Sequence, residues 1–333
     1  MIDISVLSEL LQGQKMQCVD VGARGGMQKH WMPFASLLEL DAFEPDAAAC
    51  EAQRKIAPPS EHWHPFALGD RNGPGTLYVV RKPSSSSLYP PNKAIMDSYT
   101  PKGYGDLMKE VPVSLSRLST VLTQENRPAP DFIKLDVQGA ELDVLKGLND
   151  EHWGNVLGLQ VEVEFVEEYL GQALFWDVDA AIRARGYELF DLLPVKIYRA
   201  KNGRELHYLK EHLGIARNRT DISRRMIAGD AFYLKSAQAV LEAGGVELGK
   251  YLIILLMYRC YDEVLWMAEQ ALEKGAITAA QRNRLIALTR ELAPRPALLQ
   301  RSDWLGKLAR RLNKRFGFRG RKADFWLNRS WDF

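Results

Sequence analysis

Two stretches decide how this chain folds: Cys18-Val19-Asp20-Val21-Gly22-Ala23-Arg24-Gly25-Gly26, and Asp131-Phe132-Ile133-Lys134-Leu135-Asp136-Val137-Gln138-Gly139-Ala140-Glu141. In each, apolar and β-branched residues run into an aspartate and then a glycine. That is the pattern of a buried strand whose carboxyl end turns sharply and brings backbone close to a ligand. Two such ends in one open sheet predict one shared site. Between them Leu40-Asp41-Ala42-Phe43-Glu44-Pro45-Asp46 ends in an acid about 20 residues after the first glycine turn, the spacing at which a carboxylate accepts hydrogen bonds from ribose hydroxyls. The three together point to nucleoside binding.

Outward from these motifs, residues 16–193 alternate short strand-like runs with helical stretches, the signature of a doubly wound α/β sheet. Strands are predicted at 16–21, 41–43, 63–68, 76–80, 132–137, 157–165 and 187–192. Helices are predicted at 140–148 and 175–185, with Gly147 and Gly186 as C-terminal caps. Residues 81–112 turn to Pro, Ser, Tyr and Gly and read as a lid or binding loop. Residues 201–225 are polar and irregular, and 229–235 reads as the last strand. Residues 236–292 are helical, with Gly244-Gly245 and Gly275 dividing them into three helices. The expected organisation is a main domain over 1–235, a helical appendage over 236–299 and a basic tail over 300–333.

With 333 residues, 46% of them hydrophobic, the chain can bury a full core. Cys18, Cys50 and Cys260 are an odd count without a C-x-x-C pair, so neither a disulfide framework nor a zinc knuckle is indicated, and a reducing cytoplasm is the expected location. The start lacks the pattern of a secretory signal. The longest apolar run, 251–258, is far shorter than the roughly 20 residues that cross a bilayer and is read as a buried helix. Residues 301–322 hold nine Lys or Arg against one acid, so the net charge of +2 conceals a basic end on an otherwise acidic chain. There, Leu305, Leu308, Leu312 and Phe316 share a helical face after Trp304, while basic residues crowd the rest. An anionic membrane surface contacted through 304–322 is the expected partner, rather than nucleic acid, with packing of the stripe on the helical layer as the alternative. The helical region is also a candidate homo-oligomer contact.

The turn Gly22-Ala23-Arg24-Gly25-Gly26 is not the G-x-G-x-x-G that cradles a pyrophosphate. Asp20 closes its strand and suits a cationic group. S-adenosylmethionine fits: its sulfonium and α-amino group are positive, Glu44 can take its ribose, and Phe66-Ala67-Leu68 can supply an apolar slot for adenine. Arg24 is read against the methionine carboxylate and Lys134 beside a carboxylate near the site, with ordinary solvated or salt-bridged roles as the alternative for both. Ser86 and Ser87 are assigned to a loop closing over the cofactor. Val161-Glu162-Val163-Glu164-Phe165 puts Glu162 and Glu164 on one face of a strand that a parallel sheet would otherwise keep apolar. They are read as acceptor-binding residues or base, or else as the solvated end of an edge-like strand. Asp136, Glu162 and Glu164 could also hold Mg²⁺ through oxygen ligands. His62 and His64 share a strand face, and a structural role is preferred for them over a metal pair.

The set Val19-Asp20-Val21-Gly22, Phe43-Glu44-Pro45-Asp46, Ala67-Leu68-Gly69-Asp70, Ser86-Ser87-Leu88 and Ile133 to Glu141 resembles the FkbM-type family of S-adenosylmethionine-dependent methyltransferases, over about residues 16 to 235. The resemblance implies a mostly parallel, seven-stranded class I methyltransferase (Rossmann-like) sheet, S-adenosylmethionine as donor, and O-methylation, often of a sugar hydroxyl in a glycan or natural product. On this reading Asp20, Gly22, Arg24, Gly25, Glu44, Pro45, Phe66, Ala67, Leu68, Ser86, Ser87 and Asp136 hold the cofactor. Asp136, Glu162 and Glu164 carry the chemistry. Many members have a glutamate where this chain has Gln138, which weakens any proposal of a base or metal ligand there. The acceptor is expected to be a saccharide: a polysaccharide, a glycolipid precursor or a glycosylated natural product. The alternatives are an amine or protein acceptor and a non-catalytic adapter in glycan assembly.

Overall fold

The computed structural model describes residues 2–100, 103–197, 211 and 225–293. Its strands are β1 (Met16–Val21), β2 (Leu38–Phe43), β3 (Glu61–His64), β4 (Ala67–Leu68), β5 (Gly73–Val80), β6 (Leu107–Ser116), β7 (Phe132–Leu135), β8 (Gly158–Glu164), β9 (Tyr187–Ile197) and β10 (Arg225–Lys235). Seven of them form one sheet in the order β3-β2-β1-β7-β8-β10-β9. The first five in that order run parallel, and β10 enters antiparallel between β8 and β9. Order and direction are those of the class I methyltransferase sheet. The strand order reverses at β1, so the carboxyl ends of β1 and β7 open the crevice where ligands bind in such sheets.

Alternation of side chains sorts the two faces. On one, Val19, Val21, Ile133, Leu135, Leu159, Val161 and Val163 pack under α4 (Leu118–Gln124), α5 (Glu141–Lys146) and α7 (Phe175–Arg183). On the other, Met16, Cys18, Leu38, Leu40, Phe132 and Phe232 meet α1 (Ser5–Leu10) and the C-terminal helices α8 (Ala237–Ala243), α9 (Gly245–Met257), α10 (Tyr261–Glu273) and α11 (Ala279–Leu292). The apolar run 251–258 is the second half of α9 and the residue that caps it, buried on every side. Each such Leu or Ile adds about 1.5–3 kcal/mol by leaving water.

The structure corrects several expectations. The run 63–68 is not one strand: Pro65, which has no amide N–H to give a ladder, separates β3 of the main sheet from β4, which joins a second sheet. That three-stranded sheet, β4-β6-β5, also takes the strand foreseen at 76–80. The supposed loop 81–112 contains α3 (Lys93–Tyr99) and the first half of β6. The latter is hidden in the sequence because Leu107 to Glu110 and Pro112 are exposed and show no buried alternation. The C-terminal layer has four helices rather than three, since Gly244 at φ +62° ends α8 and admits α9 at once. Residues 201–225, apart from residue 211 and the start of β10, and the basic tail over 300–333, including the membrane-contact stretch 304–322, lie outside the described residues. No helix among the described residues is long and apolar enough to cross a membrane.

Candidate active site

At the carboxyl ends of β1, β2, β7 and β8 lies a cavity of about 1020 Å³. Two glycines shape its entrance. Gly22 sits at φ +86°, and a Cβ there would stand 1.9 Å from the Asp136 carbonyl oxygen, so only glycine lets the β1 turn cross the end of β7. A Cβ on Gly25 would meet nothing within 4 Å, leaving backbone open to the cavity. Gly22, Arg24, Gly25, Glu44, Pro45, Phe66, Ala67, Leu68, Ser86, Ser87, Asp136 and Glu162 all line this space. Gly22 and Ala23 each donate a backbone hydrogen bond to the Phe43 carbonyl, at 3.0 and 3.1 Å, which ties the β1 turn to the β2 end.

Glu44 is buried, and its Oε1 accepts the Asp46 amide N–H at 2.8 Å. Burial pushes its carboxyl above the ordinary range; the Asp46 amide and Arg24 act in the opposite sense. Glu44 lines the cavity with this carboxyl. Arg24, which also lines the cavity, takes the salt-bridged alternative: it donates to Asp46 Oδ2 at 2.9 Å and lies 3.9 Å from Glu44 Oε1.

Asp20 does not stand where the cofactor reading placed it. It is fully buried and is not among the residues lining the cavity. In the β1–β7 register Asp20 stands opposite Lys134. Lys134 Nζ donates to its Oδ1 at 3.1 Å, and Gln28 Nε2 donates to its Oδ2 at 3.0 Å. An ion pair at this depth removes Asp20 from direct duty on a cationic ligand. Lys134 itself lines the cavity and lies 3.8 Å from Asp136 Oδ2. Burial disfavours its charge, but Asp20 and Asp136 outweigh that and hold the ammonium firmly protonated.

Around Asp136 the acids divide by protonation. Burial pushes Asp136 up, yet Lys134, a hydrogen bond from Glu162 and the Gln138 amide together bring it below the usual carboxylate range. Glu162, half-buried in the cavity wall, is pushed well above its ordinary value by burial and by the negative charge of Asp136. Glu164 moves the same way through burial and the charges of Glu141 and Glu168. Asp136 is therefore the ionised member, and Glu162 a protonated donor to it. This argues against Glu162 or Glu164 as the base, and equally against the solvated edge-like strand, since β8 lies between β7 and β10. Glu164 is buried and absent from the cavity lining.

Glu141, not singled out for this role from the sequence, completes the cluster. It accepts the Val137 and Gly139 amides at 2.8 and 2.9 Å, and burial raises it to about 7. Ligand oxygens of Glu141, Glu162 and Glu164 come within 4.8 Å of one another, so Glu141 takes the place given to Asp136 in the Mg²⁺ expectation. Acids that hold their protons are weak metal ligands, and acid proximity alone assigns no metal. His62 and His64 face Glu39 and Asp41 at 3.3 and 3.0 Å, as befits their structural reading.

The cavity also contains residues that the motifs missed: Gln28, His30, Gln160 and Asp230. Gln160 Nε2 donates to Asp230 Oδ1 at 3.1 Å, and its Oε1 accepts the Tyr258 hydroxyl at 2.7 Å. His30 is buried without a hydrogen-bond partner on either ring nitrogen. Burial, with Arg259 and Lys134 nearby, lowers it to about 4 and keeps it neutral. Gln160 could have been read from its place two residues before Glu162 on the same strand face. Nothing local marks His30.

Ser86 and Ser87 line the cavity. Ser87 is buried and donates to the Gln138 carbonyl at 2.6 Å, while Ser86 Oγ accepts the Val80 amide at 3.4 Å.

Residues 20–189 match the methyltransferase FkbM domain. The chain is 34% identical over 171 residues to "Methyltransferase sdnD" of Sordaria araneosa, covering 43% of this chain and 64% of that protein. It is 32% identical over 160 residues to "Methyltransferase 1" of Beauveria bassiana, covering 44% and 63%. It thus spans less than two thirds of the length of these relatives. A crystal structure of a methyltransferase FkbM from Methylobacillus flagellatus aligns at 16% identity over 45% of this chain and 33% of that one, with a TM-score of 0.29, too low to carry an argument. The domain match covers half of the chain and includes the β1, β2 and β7 ends that build the cavity, and the chain belongs to the FkbM family of S-adenosylmethionine-dependent methyltransferases.

Proposed function

We propose that this protein transfers a methyl group from S-adenosylmethionine to a hydroxyl of a saccharide, with Asp136 as the group that receives the hydroxyl proton. The observation that carries the reading is the ionised Asp136 at the β7 end, next to Lys134 and Gln138 and inside the cavity that Glu44 and the Gly22 turn also line. Gly22, Gly25, Glu44, Pro45 and Phe66 to Leu68 would hold the cofactor, Glu44 at the ribose and the last three at the adenine. When bound, S-adenosylmethionine supplies an electrophilic methyl carbon. The chain aligns the acceptor and removes its proton. A base of low pKa suffices, because a hydroxyl oxygen becomes acidic as it gains the methyl group. Glu162, donating to Asp136, steadies it in the ionised form.

A saccharide is favoured by the neutral polar groups of the lining, Gln28, His30 and Gln160, which can meet hydroxyls. Such a surface suits several hydroxyls. The test is calorimetric binding of S-adenosylhomocysteine to wild type and Glu44→Ala, followed by a screen of glycan acceptors with Asp136→Ala as the control. Micromolar binding weakened by about 1–3 kcal/mol in Glu44→Ala, with methylation of a glycan lost in Asp136→Ala, supports the proposal. No binding by the folded wild type, or full turnover by Asp136→Ala, sinks it.

A further inference from the structure

The second sheet presents an unclaimed apolar face to the active-site cavity. In the β5–β6 register Leu77 stands opposite Val111, Gly75 opposite Val113 and Val79 opposite Lys109. Alternation therefore puts Leu77, Val79, Val111 and Val113 on one side of the β5–β6 pair. All four line the cavity, and all four are only half-buried. None belongs to a hydrophobic cluster of the main sheet or packs against one. A contiguous patch of four branched apolar side chains on the wall of the cavity, packed into no core, calls for a ligand surface.

Its position is fixed relative to the chemistry. The Tyr78 amide donates to the Ser87 carbonyl at 2.8 Å, and the Ser87 hydroxyl donates to the Gln138 carbonyl at 2.6 Å. Gln138 in turn holds Asp136. The wall is thus strapped to the residue beside the proposed base. The cavity of about 1020 Å³ lies at the upper end of the range for single-ligand pockets, about 300–1,000 Å³, which leaves room beside a nucleoside cofactor for a second molecule.

We infer that the β5–β6 wall receives an apolar segment of the acceptor, so that the substrate is an amphiphile: a hydroxylated part at Asp136 and an apolar part against Leu77, Val79, Val111 and Val113. This rests on the methyl-transfer reading and narrows its substrate class.

The test is calorimetric titration of n-alkyl β-D-glucopyranosides of increasing chain length, each below its critical micelle concentration, into the full chain saturated with S-adenosylhomocysteine. Affinity should rise by about two- to fourfold per methylene as the chain covers the wall. Leu77→Ser/Val111→Ser should flatten that series and leave S-adenosylhomocysteine affinity unchanged. Circular dichroism checks the fold, and Val111→Ser alone repeats the test should the double variant melt early. Affinity independent of chain length, or no binding by any glucoside, overturns the inference while leaving the methyl-transfer reading standing. A fall in S-adenosylhomocysteine affinity in the variant also overturns it, since the wall would then belong to the donor. Failure of S-adenosylhomocysteine to bind the wild type removes the reading on which it rests.

Discussion

The side-chain amide of Gln138 donates a hydrogen bond to Asp136 Oδ1 at 2.9 Å. The same nitrogen reaches Glu162, and the Gln138 Oε1 accepts the Tyr169 hydroxyl at 3.1 Å. Gln138 does this from φ +59°, a left-handed conformation that costs a non-glycine residue about 1–2 kcal/mol. The strain persists because four contacts, counting that from Ser87, fix the residue. A neutral amide is what this position requires, since it must donate to two acids at once.

Replacing it with an acid should therefore be harmful. Gln138→Glu loses the donor and adds a carboxyl to a crowded group of acids. Methyl transfer should fall about tenfold to a hundredfold, equivalent to about 1.5–3 kcal/mol for a hydrogen bond to a charged group. S-adenosylhomocysteine affinity, measured by calorimetry, should hardly change. Equal activity in the two forms would show that the clamp does not matter.

Lys134→Met should be strongly destabilising, because it strands Asp20 without its counter-charge in the core. The expected loss in urea unfolding is about 3–5 kcal/mol. Lys134→Met/Asp20→Asn should recover a large part of it. If the double variant is no more stable than the single, the cost arises from packing and not from the orphaned charge.

Gly22→Ala tests the closeness of β1 and β7. The added Cβ has no room beside the Asp136 carbonyl, and the backbone φ of +86° disfavours it as well. A loss above about 3 kcal/mol is expected. A soluble variant with wild-type melting would contradict the described crossing.

Glu141 and Glu168 are each raised from 4.5 to about 7, in both cases chiefly by burial. For an acid raised in the folded state, the stabilising contribution is complete below the unfolded pKa and is lost as pH rises through the folded value. Melting temperature should thus decline between about pH 4.5 and pH 7, the interval from the ordinary value to the raised one. Glu168→Gln should shrink that decline. A melting temperature that climbs over the same interval would contradict the buried, protonated state of these acids.

Much of this was legible in the primary structure, for definite reasons. Strands buried on both faces must be continuously apolar, so Met16 to Val21 and Phe132 to Leu135 announce themselves. The acids that close them stand out against that background. Glycines that only a tight turn requires mark Gly22 and Gly139. Register and the packing of separate layers carry no such local signal. That Asp20 faces Lys134 across 114 positions, that the Asp136 charge pushes Glu162 toward its protonated form, and that two strands far apart in sequence pair to turn Leu77 and Val111 toward the cavity were decided by the tertiary structure alone. A charge in a core takes its state from its neighbours, and those neighbours are chosen by strand pairing, which local sequence does not encode.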